Sequence, residues 1–325
     1  MECLIKNGWN AEKIPDYGCE NTPKEGGQTN FVVGICFIIY GVITEFLYMV
    51  DVMVMMKKQQ RRLSCYKIMI ALGVYDMAAL FVNSFLTGYF WINGVNYCTN
   101  PTFMYVVGCL ALGLWCGACL NTFILVINRL LEVSNRELMY MLFKNERTYV
   151  VLLLPLLYSL YFCFFTPPLL FNSNYMAWFF FTFAQGHDPN KYHNYPHTAN
   201  NLLVVVITCL LYVKYSRVFL CHSRVRGGLS WAQKSFFIQC SSMCTANLTA
   251  ALIYVYMQFF NTPSYFVIIG HICWQLGHGF PAIVYLVLNR TIQREALALL
   301  RIRKPLGSKS ITQTNSKTFA ITRNF

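Results

Sequence analysis

FVVGICFIIYGVITEFLYMVDVMVMM, residues 31–56, runs directly into KKQQRR, residues 57–62. The first stretch can cross a hydrocarbon core of roughly 30 Å, because a helix needs about 20 apolar residues to do so. The second is a cluster of cations of the kind retained on the cytoplasmic side of a membrane. This alternation repeats along the chain. Apolar spans are predicted at 31–56, 68–92, 102–128, 149–171, 201–220, 236–259 and 264–288. The stretches 57–67, 129–148, 214–234 and 290–325 hold 5, 4, 5 and 8 of the 26 Lys and Arg, whereas 1–30, 93–101, 172–200 and 260–263 hold 3, 0, 1 and 0. The positive-inside rule then puts the first set in the cytoplasm, the amino terminus outside and the carboxyl tail inside.

Seven helices in that orientation are the layout of a G-protein-coupled receptor. The expected fold is an all-α, multi-pass membrane protein. It has an extracellular tail (1–30), a seven-transmembrane bundle (31–289), and a short cytoplasmic amphipathic helix with a disordered tail (290–325). A mean hydropathy of +0.43, with 56% hydrophobic and 12% charged residues, excludes an ordinary soluble domain. The net charge of +13 suits basic loops facing anionic lipid and gives no reason to invoke nucleic acid. Residues 1–28 are polar and carry Glu2, Glu12, Asp16, Glu20 and Glu25, so the first helix is expected to act as its own insertion signal.

Of the 14 cysteines only Cys3, Cys19 and Cys98 fall outside, and the loop from Asn172 to Asn200 has none. Cys98 is therefore expected to bridge to the amino-terminal tail, with Cys19 favoured over Cys3. Cys116-x-x-Cys119 has redox or metal spacing but lies within a span, where packing explains it better. Three acids also lie within spans: Glu45, Asp51 and Asp76. Asp76 is about ten residues into the second span, roughly 15 Å deep. A carboxylate there is expensive and points to function. It could be neutral, bind sodium, or pair with Asn83 or Ser84.

Gly108, Gly113 and Gly117 in the third span suit close helix approach, and that span is expected to end at Asn128-Arg129. Pro155 and Pro167-Pro168 predict a kink in the fourth. His187, Asp188, His193 and His197 in the following loop could suggest zinc, but the surrounding Asn, Pro and Tyr read as turns, so a folded lid is favoured over a metal site. Asn247-Leu248-Thr249 is a glycosylation sequon placed inside the membrane. Beyond the seventh span, Ile292, Ala296, Leu299 and Leu300 form an apolar stripe within Arg290–Arg303, predicting a helix on the inner leaflet. Ser308 to Thr322 alternates Ser/Thr with Lys and suits either phosphorylation or an inert tail.

Several motifs in order carry a family resemblance. Leu63-Ser-Cys-Tyr-Lys-Ile-Met-Ile-Ala-Leu-Gly-Val-Tyr-Asp76, with Asn83-Ser84 and Thr87-Gly88, resembles the second helix of nematode serpentine receptors of class T. Gly113-Leu-Trp-Cys-Gly-Ala-Cys-Leu-Asn121 leading to Ile127-Asn128-Arg129 is similar to their third helix. Asp188-Pro189, Tyr192, Asn194 and His197 to Asn201 resemble their second outer loop and fifth-helix entrance. Trp274-Gln275-Leu276, His278-Gly279-Phe280-Pro281-Ala282 and Asn289-Arg290-Thr291-Ile292 resemble their seventh helix. The resemblance covers about residues 31–300. It implies a chemoreceptor acting through a heterotrimeric G protein.

Measured against the wider rhodopsin-like class, three departures bear on mechanism. Arg129 is flanked by Asn128 and Leu130 rather than by an acid, and the sixth span begins Lys234-Ser235-Phe236 with no Glu to meet it. A hydrogen-bonded restraint through Asn128 is the expected substitute for an ion-pair lock. Pro281 and Tyr285 are separated by one residue more than in the usual motif, which turns the tyrosine by about 100°. The sixth span has no proline, only the polar run Ser241, Ser242, Thr245, Asn247 and Thr249. Asp76, Asn128, Arg129, Pro281 and Tyr285 remain the candidates for the switch.

The expected activity is reception of a small molecule between helices three, five, six and seven. Tyr105, Cys109, Leu112, Tyr254, Gln258, His271 and Gln275 are the pocket candidates. Their aromatic, charge-poor character favours a neutral or weakly polar ligand. The expected partners are that ligand, a heterotrimeric G protein and membrane lipid, at the plasma membrane or the cilium of a sensory cell. No cofactor, metal or catalytic constellation is expected. A retinal protein is excluded, since its Schiff base needs a lysine in the last helix and none occurs between Lys234 and Lys304. A seven-helix ligand-gated channel or carrier is the alternative, although no internal repeat supports it.

Overall fold

The computed structural model describes residues 1–300 except 21, 23, 25, 226–230 and 261. In the amino-terminal segment, α1 (Glu2–Lys6) precedes the first span, α2 (Phe31–Met55). The second span is composite: α3 (Ser64–Leu80), a π-helical turn over Phe81–Leu86, then α4 (Thr87–Asn93). The third is α5 (Pro101–Ser134), followed by a short α6 (Arg136–Phe143) and the fourth span, α7 (Arg147–Phe165). A hairpin of β1 (Leu170–Asn172) and β2 (Ala177–Phe179) leads to α8 (Tyr195–Val225), α9 (Trp231–Phe259), α10 (Ser264–Leu288) and α11 (Arg290–Leu299). Among the described residues six of these helices and the composite second span are long and apolar enough to cross a membrane, seven spans in all, so the chain is an all-α, multi-pass bundle.

Helix starts follow local chemistry. Asn30, Asn100, Asn135 and Asn289 cap α2, α5, α6 and α11, each side-chain oxygen accepting from backbone N–H groups of the first turn. Pro101 sits at the first position of α5, where its missing N–H costs nothing. Three boundaries differ from the sequence reading. Helix α5 continues past Arg129 to Ser134, so this arginine is inside the helix and buried. Helix α7 ends at Phe165, because Thr166 precedes Pro167 and adopts an extended backbone. Pro167-Pro168 thus belong to the loop, and only Pro155 lies within α7. Helix α8 starts at Tyr195, and Asn194 Oδ1 accepts from the His197 amide at 2.9 Å.

Helix α5 is the central post, packed against α3, α7, α8 and α9. Its glycines set the distance to α7 and the loop beyond it. A Cβ on Gly108 would lie 1.6 Å from the Leu169 carbonyl oxygen, and one on Gly113 would lie 2.7 Å from that of Ser159. Either substitution would have to push backbone away, which is how small residues let transmembrane helices approach.

At the outer end, opposite the basic loops, the amino-terminal segment and the 166–194 loop form a cover. A disulfide joins Cys19 to Cys98. Asn96 holds the hairpin, its Oδ1 accepting from both the amide and the hydroxyl of Ser173 at 3.0 and 2.9 Å. Trp178 Nε1 donates to Thr87 Oγ1 at 2.9 Å, pinning the hairpin to the second span. Tyr17 packs edge-on against Tyr97, Tyr105 and Tyr192, and Tyr192 donates its hydroxyl to the Asp16 carbonyl.

At the basic end α11 packs Ile292 and Ala296 into the core beside α2 and α10. Lys57 reaches Glu295 at 2.9 Å, and this hydrogen bond holds the Glu295 carboxyl below its ordinary range. Leu299 and Leu300, on the same apolar stripe, are exposed, as a helix lying on lipid would leave them. Arg301 to Arg303 and the Ser308–Thr322 stretch lie outside the described residues.

Candidate functional site

The second span loses its regular helical ladder at the π-helical turn, and side chains take up its carbonyls. Thr87 Oγ1 donates to the Val82 carbonyl at 2.9 Å. His271 Nε2 lies 3.0 Å from the Asn83 carbonyl, which fixes the proton on Nε2. Gln275 Nε2 donates to Ser84 Oγ at 2.8 Å. His271 and Gln275 are thus spent on joining α10 to the second span, and neither lines the cavity beneath the hairpin. A turn deeper, Asp76 accepts from the Tyr48 hydroxyl, and its other carboxyl oxygen lies 2.7 Å from His278 Nδ1. Its partners therefore come from α2 and α10, not from Asn83 or Ser84 as the sequence suggested. Asp76, Tyr48 and His278 are all buried.

Beneath the hairpin lies a cavity of about 170 Å³, between the loop and α9. Trp178, Phe180, Phe181 and Tyr192 wall it on the loop side; Tyr254, Met257 and Gln258 wall it on the α9 side. A much smaller chamber, lined by Leu112, Trp115, His197 and Trp274, adjoins it and shares Leu169 and Tyr254. Among the described residues no Asp, Glu, Lys or Arg lines either space. An apolar cavity of about 150 Å³ holds benzene, so this one is of a size for a small organic molecule. Of the sequence candidates, Leu112, Tyr254 and Gln258 meet here.

Tyr105 and Cys109 do not. They lie on the side of α5 that faces α7, and with Leu4, Ala11, Ile14 and Cys163 they form a small apolar cluster under the amino-terminal segment. A sequence signal for this was present: Tyr105, Cys109 and Gly113 recur every four residues, on the stripe that the small residue marks for helix contact. The loop histidines also disperse. His187 bonds Thr182 and Tyr192, His193 lies near the Asn190 carbonyl, and His197 lies near Asn201.

At the basic end Arg129 Nη1 donates to Glu132 Oε2 at 2.9 Å, an ion pair one turn along the same helix. Asn128 does not restrain the arginine; its Nδ2 donates to Ser64 Oγ of α3 at 3.0 Å. The acid three residues on was legible from the helical spacing. Cys65 of α3 and Cys240 of α9 lie within electrostatic reach of Arg129, which places it between those helices. Pro281 is accommodated inside α10, and Tyr285 is buried in the inner core with Tyr48 and Met243.

Comparison with known proteins agrees with this architecture. Residues 5–309 match the family described as "Serpentine type 7TM GPCR chemoreceptor Srt". The protein named "Serpentine receptor class T-55" from Caenorhabditis elegans is 26% identical over 324 residues, covering 94% of this chain and 89% of that relative. Among solved structures, squid rhodopsin superposes with a TM-score of 0.60 at 14% identity, over 89% of each chain, a likeness of fold. With nearly the whole chain matched and the seven-helix bundle in place, the protein belongs to the class T serpentine chemoreceptor family.

Proposed function

We propose that this protein binds a small, neutral or weakly polar molecule in the aromatic cavity under the hairpin and in response activates a heterotrimeric G protein. The observation that carries this reading is the cavity's wall: aromatic on the loop side, without Asp, Glu, Lys or Arg among the described residues, and shared with α9. An ammonium ligand would find no carboxylate among the described residues lining it.

Helix α9 gives the binding event a route inward. It carries Tyr254 and Gln258 at the cavity, and Cys240 and Cys244 in a cluster with Val126 and Leu130 of α5, beside Arg129. A ligand that fits one placement of α9 better than another shifts the population toward it by its difference in affinity. Asp76, Asn128, Arg129, Pro281 and Tyr285 are the proposed switch residues, with the plasma membrane or a sensory cilium as the place of action.

The test is a panel of volatile and semi-volatile molecules applied to cells expressing the receptor with a promiscuous G-protein α subunit, read as calcium. A dose-dependent response, absent in cells without the receptor, is expected. Ligand-evoked current that persists when G-protein signalling is blocked would replace this reading with a ligand-gated channel.

A further inference from the structure

The two chambers present an unusual set of polar atoms. Tyr254 Oη, Gln258 Nε2, Trp274 Nε1 and His197 Nδ1 are buried side-chain atoms on lining residues, and none has a hydrogen-bond partner among the described residues. Buried polar groups are ordinarily paired, and four unpaired ones on the walls of two adjoining chambers, Gln258 in the larger, His197 and Trp274 in the smaller and Tyr254 in both, call for an account. Each can donate a proton.

The indole nitrogen of Trp274 is a donor only. Gln258 uses its Oε1 to accept from Thr198 Oγ1 at 2.7 Å, which leaves its amide nitrogen unspent. The tautomer of His197 is set by a relay. Trp115 Nε1 donates to Asn201 Oδ1 at 3.0 Å, and Asn200 Nδ2 donates to the same oxygen at 3.1 Å, so the Asn201 amide orientation is fixed. Asn201 Nδ2 then faces His197 Nε2 at 3.3 Å, making Nε2 the acceptor and leaving the proton on Nδ1. The tyrosine hydroxyl can also accept, but the other three cannot in this arrangement.

From this surplus of donors we infer that the cavity selects uncharged molecules bearing a carbonyl oxygen, such as small ketones, esters or lactones, over hydrocarbons and amines of equal shape. This rests on the reading of the cavity as a ligand site and names the chemistry of its ligand. A carbonyl oxygen has two lone pairs and no proton, so it complements donors without bringing one of its own. A hydrocarbon would fill the aromatic space and leave every donor buried and unpaired. An ammonium would add further donors and a charge with no counter-ion in the wall.

Binding is measured on the full chain in lipid nanodiscs by ligand-observed NMR. The probes are cyclohexanone and cycloheptanone, the exocyclic alkenes that match them in shape, and the corresponding cyclic amines. The ketones should bind at least about tenfold more tightly than the alkenes. Gln258→Leu and Trp274→Phe should each bring that ratio toward one while alkene binding persists. Where Trp274→Phe does not fold, Gln258→Leu alone decides, since that residue is only half-buried. Equal binding of ketone and alkene overturns the donor inference and leaves the cavity as a ligand site. Failure of every ketone to bind overturns it as well. Ketone-selective binding without any G-protein response would instead sink the receptor reading and leave this inference standing.

Discussion

His278 Nδ1 lies 2.7 Å from Asp76 Oδ1, and the pair ties α10 to α3 where neither side chain reaches solvent. The Tyr48 hydroxyl occupies the other carboxylate oxygen, so three helices meet at one acid. Removing one member of a buried polar pair leaves the other desolvated and alone, at about 3–5 kcal/mol. Asp76→Ala and His278→Ala should each lower the melting temperature of the detergent-solubilised receptor by several degrees. The double variant should lose clearly less than the sum, because the second removal breaks nothing new. Simple additivity would mean that the two side chains do not act as a pair.

The disulfide between Cys19 and Cys98 closes a stretch of 79 residues that includes the first two spans. A crosslink over a loop of that length stabilises by about 4 kcal/mol in the chain-entropy account. It also anchors the amino-terminal segment whose Leu4 and Ile14 cover Tyr105. Cys98→Ser and Cys19→Ser should therefore reduce surface delivery to the same degree, and Cys3→Ser should leave it unchanged. Surface biotinylation of epitope-tagged receptors measures this, and normal delivery of either of the first two would count against a structural role.

The spans were legible because apolar length and basic punctuation are properties of consecutive residues. Partners across the bundle were not. Tyr48, Asp76 and His278 stand 28 and 202 residues apart in their two hydrogen bonds, and helices apolar on most faces give little periodic signal of which side turns inward. For Tyr105 and Cys109 the depth was readable from hydropathy, and the azimuth only through the stripe they share with Gly113. Helix boundaries shifted where a local rule outranked hydropathy, as at Thr166 before Pro167. The acid that pairs with Arg129 is Glu132, one helical turn along the same helix, neither beside the arginine nor across the bundle.

Arg129 is buried while its partner Glu132 is about half exposed, so the pair lies at the edge of the inner face. An ion pair of this kind contributes little to stability, since one partner remains solvated. Its consequence is positional, holding the guanidinium along its own helix. Glu132→Gln should leave expression unchanged and raise ligand-independent signalling, because one contact that holds the guanidinium along its own helix is weakened. Arg129→Ala should abolish coupling with surface expression retained. Unaltered signalling in both variants would remove the pair from the switch.

The cavity makes a sharper division among residues that hydropathy cannot separate. Tyr254 and Gln258 line it, whereas Tyr105 and Cys109 sit under the amino-terminal segment and His271 and Gln275 are spent on the second span. Tyr254→Phe and Gln258→Leu remove polar atoms from the wall with little change in volume, so they should shift the half-maximal ligand concentration by about tenfold. Surface levels should stay within twofold of the wild type, since volume-conserving changes in a wall cost about 1.5 kcal/mol or less. Cys109→Ala should leave the dose–response midpoint in place and lower only the amount of receptor, as cavity formation in a packed cluster does. His271→Phe should behave like Cys109→Ala, because it strips the Asn83 carbonyl of its donor without touching the cavity wall. The measurement is a full dose–response curve normalised to surface receptor for each variant. A midpoint moved by Cys109→Ala and not by Gln258→Leu would place the ligand on the α5–α7 side and refute the cavity under the hairpin as its site.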